Sequence, residues 1–380
     1  MLHYGRQSID EQDVQAVTDV LLSNYLTTGP MVGRFESAFA KTVGTQHAIA
    51  VSSGTAALHC AVAALGIGPG DEVIVPAITF AASSNTVLYE GGTPVFADVD
   101  PETLLLDPDD VVRKITPKTQ AIIAVDYAGQ PCDYDALNEI AEEYDLKIIA
   151  DACHSLGAMY NNRPCGSLAD ISCFSLHPVK AITAGEGGVA TTSDDELARR
   201  MTIFRNHGIT TDHNQRREHG QHVYDMQMLG WNYRISDIAC ALAHSQLQKL
   251  GAFTRRRQQI AARYYSLLKE VELVTPLVTQ LDVHHAYHLF VVRCQGYRDQ
   301  LFDFFRAAYI NPGVHYRPVY QHSYYQQLFG DHDFACPNSE EAYQEIISLP
   351  IFPDMQDYQI DQVVKVLQKF QSQILPRVAA

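Results

Sequence analysis

The spacing of apolar positions changes along the chain, and the changes mark out its elements. In residues 10–22 (DEQDVQAVTDVLL), Val14, Val17 and Leu21 recur at helical spacing, which predicts a helix with those three on one face. NYLTTGP (24–30) is rich in turn formers and reads as a connector. Short apolar runs then alternate with helical patterns. HAIAVSS (47–53) and DEVIVPA (71–77) read as strands, each followed by a helix, GTAALHCAVAAL (54–65) and FAASSNTVLYEG (80–91). PVFADVD (94–100), AIIAVDYAG (121–129) and KIIADAC (147–153) are strands, with the helix YDALNEIAEEYD (134–145) between the last two. ISCFSL (171–176) and GGVATTS (187–193) are further strands. This alternation implies parallel βαβ units and a largely buried sheet, hence an α/β fold. The large domain is expected to span 1–250, with a long helix over 236–264 leading out of it. HLFVVRC (288–294) as a strand, YRDQLFDFFRAAYI (297–310) as a helix, GVHYRPVY (313–320) as a strand and C-terminal helices make a smaller α+β domain over 251–380. The polar, His-rich stretch 207–225 reads as a long loop.

Composition narrows the function. The formal charge is −16 in 380 residues, which argues against a general nucleic-acid binder, since that needs a basic face to release counterions. A local cradle could still hold the phosphate of a small ligand. The eight cysteines form neither a CxxC pair nor a cluster at metal-ligand spacing, so they read as reduced thiols and no metal site is expected. The N-terminus lacks the basic start and apolar stretch of a signal peptide, and no apolar run approaches the roughly 20 residues that span a bilayer. A cytoplasmic protein without a membrane segment is the expectation.

The candidate chemistry lies where strands end. Asp151 closes KIIA, at the edge where open α/β sheets place ligands, and Lys180 follows in the Pro- and Gly-containing SLHPVKAITAGEGG (175–188). A carboxylate can hold a protonated ring nitrogen while an amine forms an imine with an aldehyde on the same ring. Pyridoxal 5′-phosphate (PLP) needs both, and a phosphate cradle as well. Ser53, Gly54 and Thr55, between a strand and a helix, could supply that cradle from unpaired N–H groups and hydroxyls, although Ser and Thr there equally suit a plain helix cap. The loop is neither GxxxxGK[ST] nor GxGxxG, so a small cofactor phosphate fits better than a nucleotide. Ser175 could donate to the same phosphate, Phe80 could stack on the ring, and His154 could reach its oxygen or the substrate. Asp151 would serve equally as a cap or surface acid, His154 and Phe80 as core. Burial and a cationic neighbour would lower the Lys180 pKa, as a proton shuttle requires.

SSGTAAL (52–58), DACHSLGA (151–158), SLHPVKAITAGEGG (175–188) and GWNYRISDIACAL (230–242), in that order, resemble the DegT/DnrJ/EryC1/StrS family of sugar aminotransferases. The resemblance runs from the N-terminal helix to SLPIFPDM (348–355). It implies a fold type I PLP-dependent transferase with a mixed, mostly parallel sheet. Lys180 would bind the cofactor covalently, Asp151 would pair with its ring nitrogen, and His154 would lie near the ring oxygen. Phe80 would stack where relatives often carry Trp, and Gly54, Thr55 and Ser175 would hold the phosphate. Asn232 would reach the partner subunit's site in a homodimer. The HPVK–AITAGEGG blocks, DYAGQPCD (126–133) and VHYRPVYQHSYYQQLFG (314–330) look most like the PseC-type branch, which aminates C4 of a UDP-4-keto-6-deoxy-HexNAc, with L-glutamate as donor. Substrate contacts carried over from that branch are Tyr4, Asn24, Tyr25, Leu26, Thr27, His315, Tyr316 and Arg317. Leu176 departs from the Phe common in relatives. The motifs are shared by enzymes acting at C3 or C4 of dTDP- or GDP-sugars. Sugar dehydratases of the family carry His in place of the lysine, so Lys180 argues against them. A non-catalytic or nucleotide-sugar-binding member is the rival from outside catalysis, and retention of Asp151 and Lys180 argues against it.

Overall fold

The computed structural model describes residues 1–211, 216, 220, 222–330 and 334–374. At its centre is a sheet built from β1 (His47–Val51), β2 (Glu72–Pro76), β3 (Thr93–Ala97), β4 (Thr119–Val125), β5 (Lys147–Asp151), β6 (Ile171–Ser175) and β7 (Gly188–Thr192). The strand order is β1-β7-β6-β5-β4-β2-β3. The pairs among β3, β2, β4, β5 and β6 are parallel, and β7 runs antiparallel to both of its neighbours. Near-continuous apolar runs such as IIAV in β4 are buried along their length, as expected of a sheet covered on both faces.

The helix Gly54–Leu65 occupies the span its pattern predicts. It is apolar almost all round, and its residues from Ala56 to Ala64 are buried, so it lies inside the protein rather than on it. The helix Glu11–Leu21 differs from its expected face. Asp13 and Val20 are its buried residues, while Val14 and Leu21 are 59% and 54% exposed. Polar anchoring turns it: the Asp13 carboxylate accepts hydrogen bonds from Ser245 and Gln246 and pairs with Lys249, all on the long helix Asp237–Leu268. A further helix, Pro30–Val43, buries Phe35 and Phe39 and is not among the elements read from periodicity.

The long helix leads to a second cluster of buried residues, from Ile260 to Phe370, around the three-stranded sheet Thr275–Pro276, Phe290–Arg293 and Ile346–Leu349. The short strand Leu2–His3 pairs in parallel with Ile310–Asn311, which ties the N-terminus to this region. The strand expected over 313–320 does not form. Gly313 makes one bridge to Ser348, residues 314–318 leave the ladder, and a 3₁₀ turn follows at Val319–Gln321. Pro312 and Pro318 lack the N–H groups a ladder needs. The ends of the His-rich stretch are joined by the bridge Ile209–Met226, and its residues 212–215, 217–219 and 221 lie outside the described residues. All eight cysteines are free thiols. Among the described residues no helix is long and apolar enough to cross a membrane.

Candidate active site

A cavity of about 450 Å³ opens at the C-terminal ends of β1, β2, β4, β5 and β6. Tyr4, Ser53, Gly54, Thr55, Phe80, Asp151, His154, Ser175, Lys180, His315 and Tyr316 all line it. Asn24, Tyr25, Leu26, Thr27, Asn232 and Arg317 do not line it, and each of the six is exposed.

One wall is the start of the helix Gly54–Leu65. Ser53 caps it: its hydroxyl accepts from Ala56 N at 3.0 Å and its carbonyl from Ala57 N at 3.1 Å. The cap reading of Ser53 is therefore correct, and it leaves the cradle intact, because a helix offers no internal partner to the N–H groups of Gly54 and Thr55. Both residues line the cavity, where the helix dipole favours an anion. Glycine is required at 54. A Cβ there would lie 2.8 Å from the Ser175 Cβ and 3.2 Å from the Cys153 Sγ. At Gly188, opening β7, a Cβ would meet the Ser53 carbonyl oxygen at 2.2 Å. Gly185 takes φ +79° in the turn after Lys180.

Asp151 sits across the cavity and is 6% exposed. Ser83 Oγ donates to its Oδ2 at 2.7 Å and Cys153 N to its Oδ1 at 3.3 Å. Thr79 Oγ1 lies 2.7 Å from Ser83 Oγ and completes the chain. The carboxylate is thus fixed before any ligand arrives. Beside it, the buried Asp126 accepts from Ser155 Oγ, from Tyr134 Oη at 2.8 Å and from Cys132 N at 3.1 Å, and donates its own N–H to Asp151 O at 3.1 Å. Burial pushes the Asp126 carboxyl up to about 7, against the pull of those hydrogen bonds. Asp126 therefore braces the turn bearing Asp151 and His154.

Burial lowers the Lys180 pKa, against the opposing fields of Cys153 and Asp151, so its amine sheds a proton more readily than a solvated lysine. His154 Nε2 lies 3.1 Å from Tyr316 Oη, and its buried Nδ1 has no hydrogen-bond partner among the described residues. Burial first, then the charges of Lys180 and His315, hold its pKa well below the usual histidine range, so the ring is neutral. Burial likewise lowers His315 to about 4, and its Nδ1 lies 2.8 Å from Ser348 Oγ. Tyr4 stacks obliquely on His315 at 4.9 Å. Phe80 is 59% exposed, with its ring 6.1 Å from that of Tyr316 and a face open to the cavity mouth.

An amine, a fixed carboxylate, an open aromatic face and an anion cradle around one cavity are the donor set of a PLP enzyme, and a pyridine ring bearing a phosphate fits it. The comparisons agree. Residues 7–368 match the DegT/DnrJ/EryC1/StrS aminotransferase family, and the chain belongs to it. The chain is 37% identical over 374 residues to the UDP-4-amino-4-deoxy-L-arabinose–oxoglutarate aminotransferase of Shewanella sediminis (strain HAW-EB3), covering 95% of this chain and 96% of that one. Among solved structures, Spr1654 of Streptococcus pneumoniae, named as a sugar aminotransferase and solved in its PLP form, superposes with TM-score 0.92 at 30% identity, covering 98% and 99% of the two chains. Helicobacter pylori PseC, an aminotransferase of pseudoaminic acid biosynthesis, superposes with TM-score 0.90 at 30% identity over 97% and 98%. The protein is a PLP-dependent sugar aminotransferase with the α/β architecture of these neighbours.

Residue spacing does not reveal Ser83, Thr79, Asp126 or His288. Ser83 reaches Asp151 across 68 positions, and His288 packs its ring 4.4 Å from His154 across a longer separation. No local pattern marks such pairs. The one available signal was Asp126 closing the run AIIAV, the same strand-end placement that singles out Asp151.

Proposed function

We propose that the protein transfers the amino group of L-glutamate to C4 of a UDP-4-keto-6-deoxy-HexNAc, working as a homodimer with shared sites. The observation that carries the amino transfer is the convergence of Asp151, His154 and Lys180 with a helix N-terminus in one cavity. The name of the Shewanella relative specifies UDP, a 4-amino sugar and oxoglutarate, which is glutamate after it has lost its amine. The PseC neighbour belongs to pseudoaminic acid biosynthesis. The first supports UDP over dTDP or GDP and amination at C4, and the second supports a sugar of the pseudoaminic acid type.

When bound, PLP supplies an electron sink for the carbon that loses its proton. Gly54, Thr55 and Ser175, with Asn232 of the partner subunit, hold the phosphate. Asp151, kept in place by Ser83, pairs with the ring nitrogen, and Phe80 covers a ring face. Lys180 Nζ takes the proton from Cα of glutamate and later returns one to C4 of the sugar. Neutral His154, which lines the same cavity, would serve the ring oxygen. Tyr4, His315 and Tyr316 receive the sugar; Arg317 and the segment Asn24, Tyr25, Leu26 and Thr27, off this chain's cavity, are left for the nucleotide.

The test is a panel of 3-keto and 4-keto sugar nucleotides carrying UDP, dTDP or GDP, each supplied with L-glutamate and read by mass spectrometry. The UDP-4-keto-6-deoxy-HexNAc should give the highest kcat/KM and a product aminated at C4. Preference for another nucleotide, or for a 3-keto sugar, would overturn the substrate assignment.

A further inference from the structure

The helix Gly54–Leu65 turns its N-terminus to the cavity, and one turn further on it carries His59, which the proposed chemistry does not use. His59 is 1% exposed. Its Nε2 lies 2.6 Å from Glu90 Oε1 and its Nδ1 2.9 Å from Tyr233 Oη. A carboxylate only accepts, so Nε2 carries the hydrogen and Nδ1 accepts from the Tyr233 hydroxyl. Burial favours this neutral form, lowering the His59 pKa against the pull of Glu90 and pushing Tyr233 up to about 12. The rings of Tyr89, Phe204, Trp231 and Tyr233 surround the imidazole, with centroids 5.1–5.8 Å away.

Two of those rings flank Asn232. Trp231 and Tyr233 stack on each other at 5.9 Å and 8°. Alternate residues of an extended segment face opposite ways, so pinning Trp231 and Tyr233 on His59 turns Asn232 outward. Asn232 is exposed. The backbone is fixed as well: Trp231 N donates to Phe204 O at 2.8 Å, Tyr233 N to Arg205 O at 2.9 Å, and Ser52 N to Tyr233 O at 2.9 Å. The last bond lands beside the cradle, so one helix touches both the phosphate site and the segment that bears Asn232.

We propose that His59 is a positioning residue for the partner subunit's cofactor site, with the Glu90–His59–Tyr233 chain setting the outward reach of Asn232. This rests on the reading that Asn232 crosses a dimer interface. The competing account is that His59 serves its own chain's site through the helix Gly54–Leu65.

Mixed dimers carrying two affinity tags separate these accounts. In the first arrangement, H59F and K180A share one chain opposite a wild-type partner. The only site with Lys180 then lies in the partner and receives Asn232 from the altered chain. In the second, H59F is on one chain and K180A on the other, so the live site lies in the H59F chain and receives Asn232 from a chain with intact His59. PLP affinity is read by titrating the visible absorbance that requires Lys180, alongside KM and kcat. The first arrangement should bind PLP about tenfold more weakly, with the second within about twofold of the K180A/wild-type control. Weakening confined to the second arrangement, or seen in neither, overturns the proposal. Y233F deletes only the hydroxyl and should repeat the pattern at smaller size; if H59F does not fold, Y233F decides alone. N232A in the same two arrangements tests the underlying reading. If N232A weakens only its own chain's site, Asn232 does not cross and the dimer reading fails, whatever His59 does.

Discussion

In the proposed reaction Lys180 is the nucleophile, and its setting decides how often it is one. The neutral amine reacts, and burial in the cavity lowers its pKa, so the amine deprotonates at lower pH than a surface lysine. Capture of PLP by the cofactor-free protein should therefore rise with pH and level off below the ordinary lysine value of about 10.5. Stopped-flow absorbance between pH 6 and 11 measures it; a midpoint at or above that value would contradict the burial argument, and Lys180→Ala should show no visible band and no turnover. Asp126 makes the opposite case. Its carboxyl is raised to about 7 in the folded protein, above its ordinary value of about 3.9. The folded state thus holds a proton the unfolded state has lost, and stability falls as pH climbs from about 4 through 7. Asp126→Asn should flatten that fall, which thermal unfolding at pH 5 and pH 8 would show; an unchanged difference would mean the carboxyl is already ionised. Lys180, Asp151 and His154 stand out in the sequence because PLP chemistry calls for those residue types at strand ends and in a Gly-rich turn, and the fold brings all three to one cavity. Ser83 and Asp126 do not, because what they do depends on neighbours distant in the chain.

Glycines decide whether the elements can meet. β7 passes the cradle so closely that a Cβ on Gly188 would sit 2.2 Å from the Ser53 carbonyl oxygen and 2.7 Å from Gly54 N, both backbone atoms that cannot rotate away. Gly188→Ala should cost about 1–3 kcal/mol in denaturant unfolding, through strain in a packed interior, and should weaken PLP binding together with stability. Lost stability with unchanged PLP affinity would show that the strain relaxes away from the cradle. The sequence signalled close approach here through three glycines in four residues, but not which backbone approaches. The same limit explains the misread elements. Alternation suggested a strand over 313–320, yet prolines at both ends and the turn of His315 and Tyr316 into the cavity take this backbone off the sheet. Periodicity placed Val14 and Leu21 on one face of their helix, while a buried carboxylate at Asp13 turned the helix to meet Ser245, Gln246 and Lys249. Buried polar anchors do not register in an apolar pattern.

At the scale of the whole molecule, anionic substrates have to be held by an acidic protein. The proposed substrates bring a diphosphate and carboxylates to a protein of net charge −16. Asp151 and Glu186 line the cavity, and among its described lining residues Lys180 is the one lysine or arginine. Further donors must come from residues outside it. Asn232 of the partner subunit is the proposed one, and it lies in a segment with a row of exposed apolar side chains, Val223 and Leu229 at 80%, Tyr224 at 63% and Met226 at 59%. In the proposed homodimer a second copy of this chain covers that row and brings Asn232 with it. Leu229→Asp, placing a charge in that row, should shift the protein to monomer in sedimentation equilibrium while leaving its far-UV circular dichroism unchanged. Because the cradle would then lack Asn232 of the partner subunit, PLP affinity should fall by about tenfold or more. Linkage requires the reverse as well: if dimerisation strengthens PLP binding at each site, saturating PLP must shift monomer toward dimer by the square of that per-site factor, because each dimer holds two sites. A monomer that holds PLP as tightly as the wild-type protein, or a dimer constant indifferent to PLP, would show that each chain completes its own site.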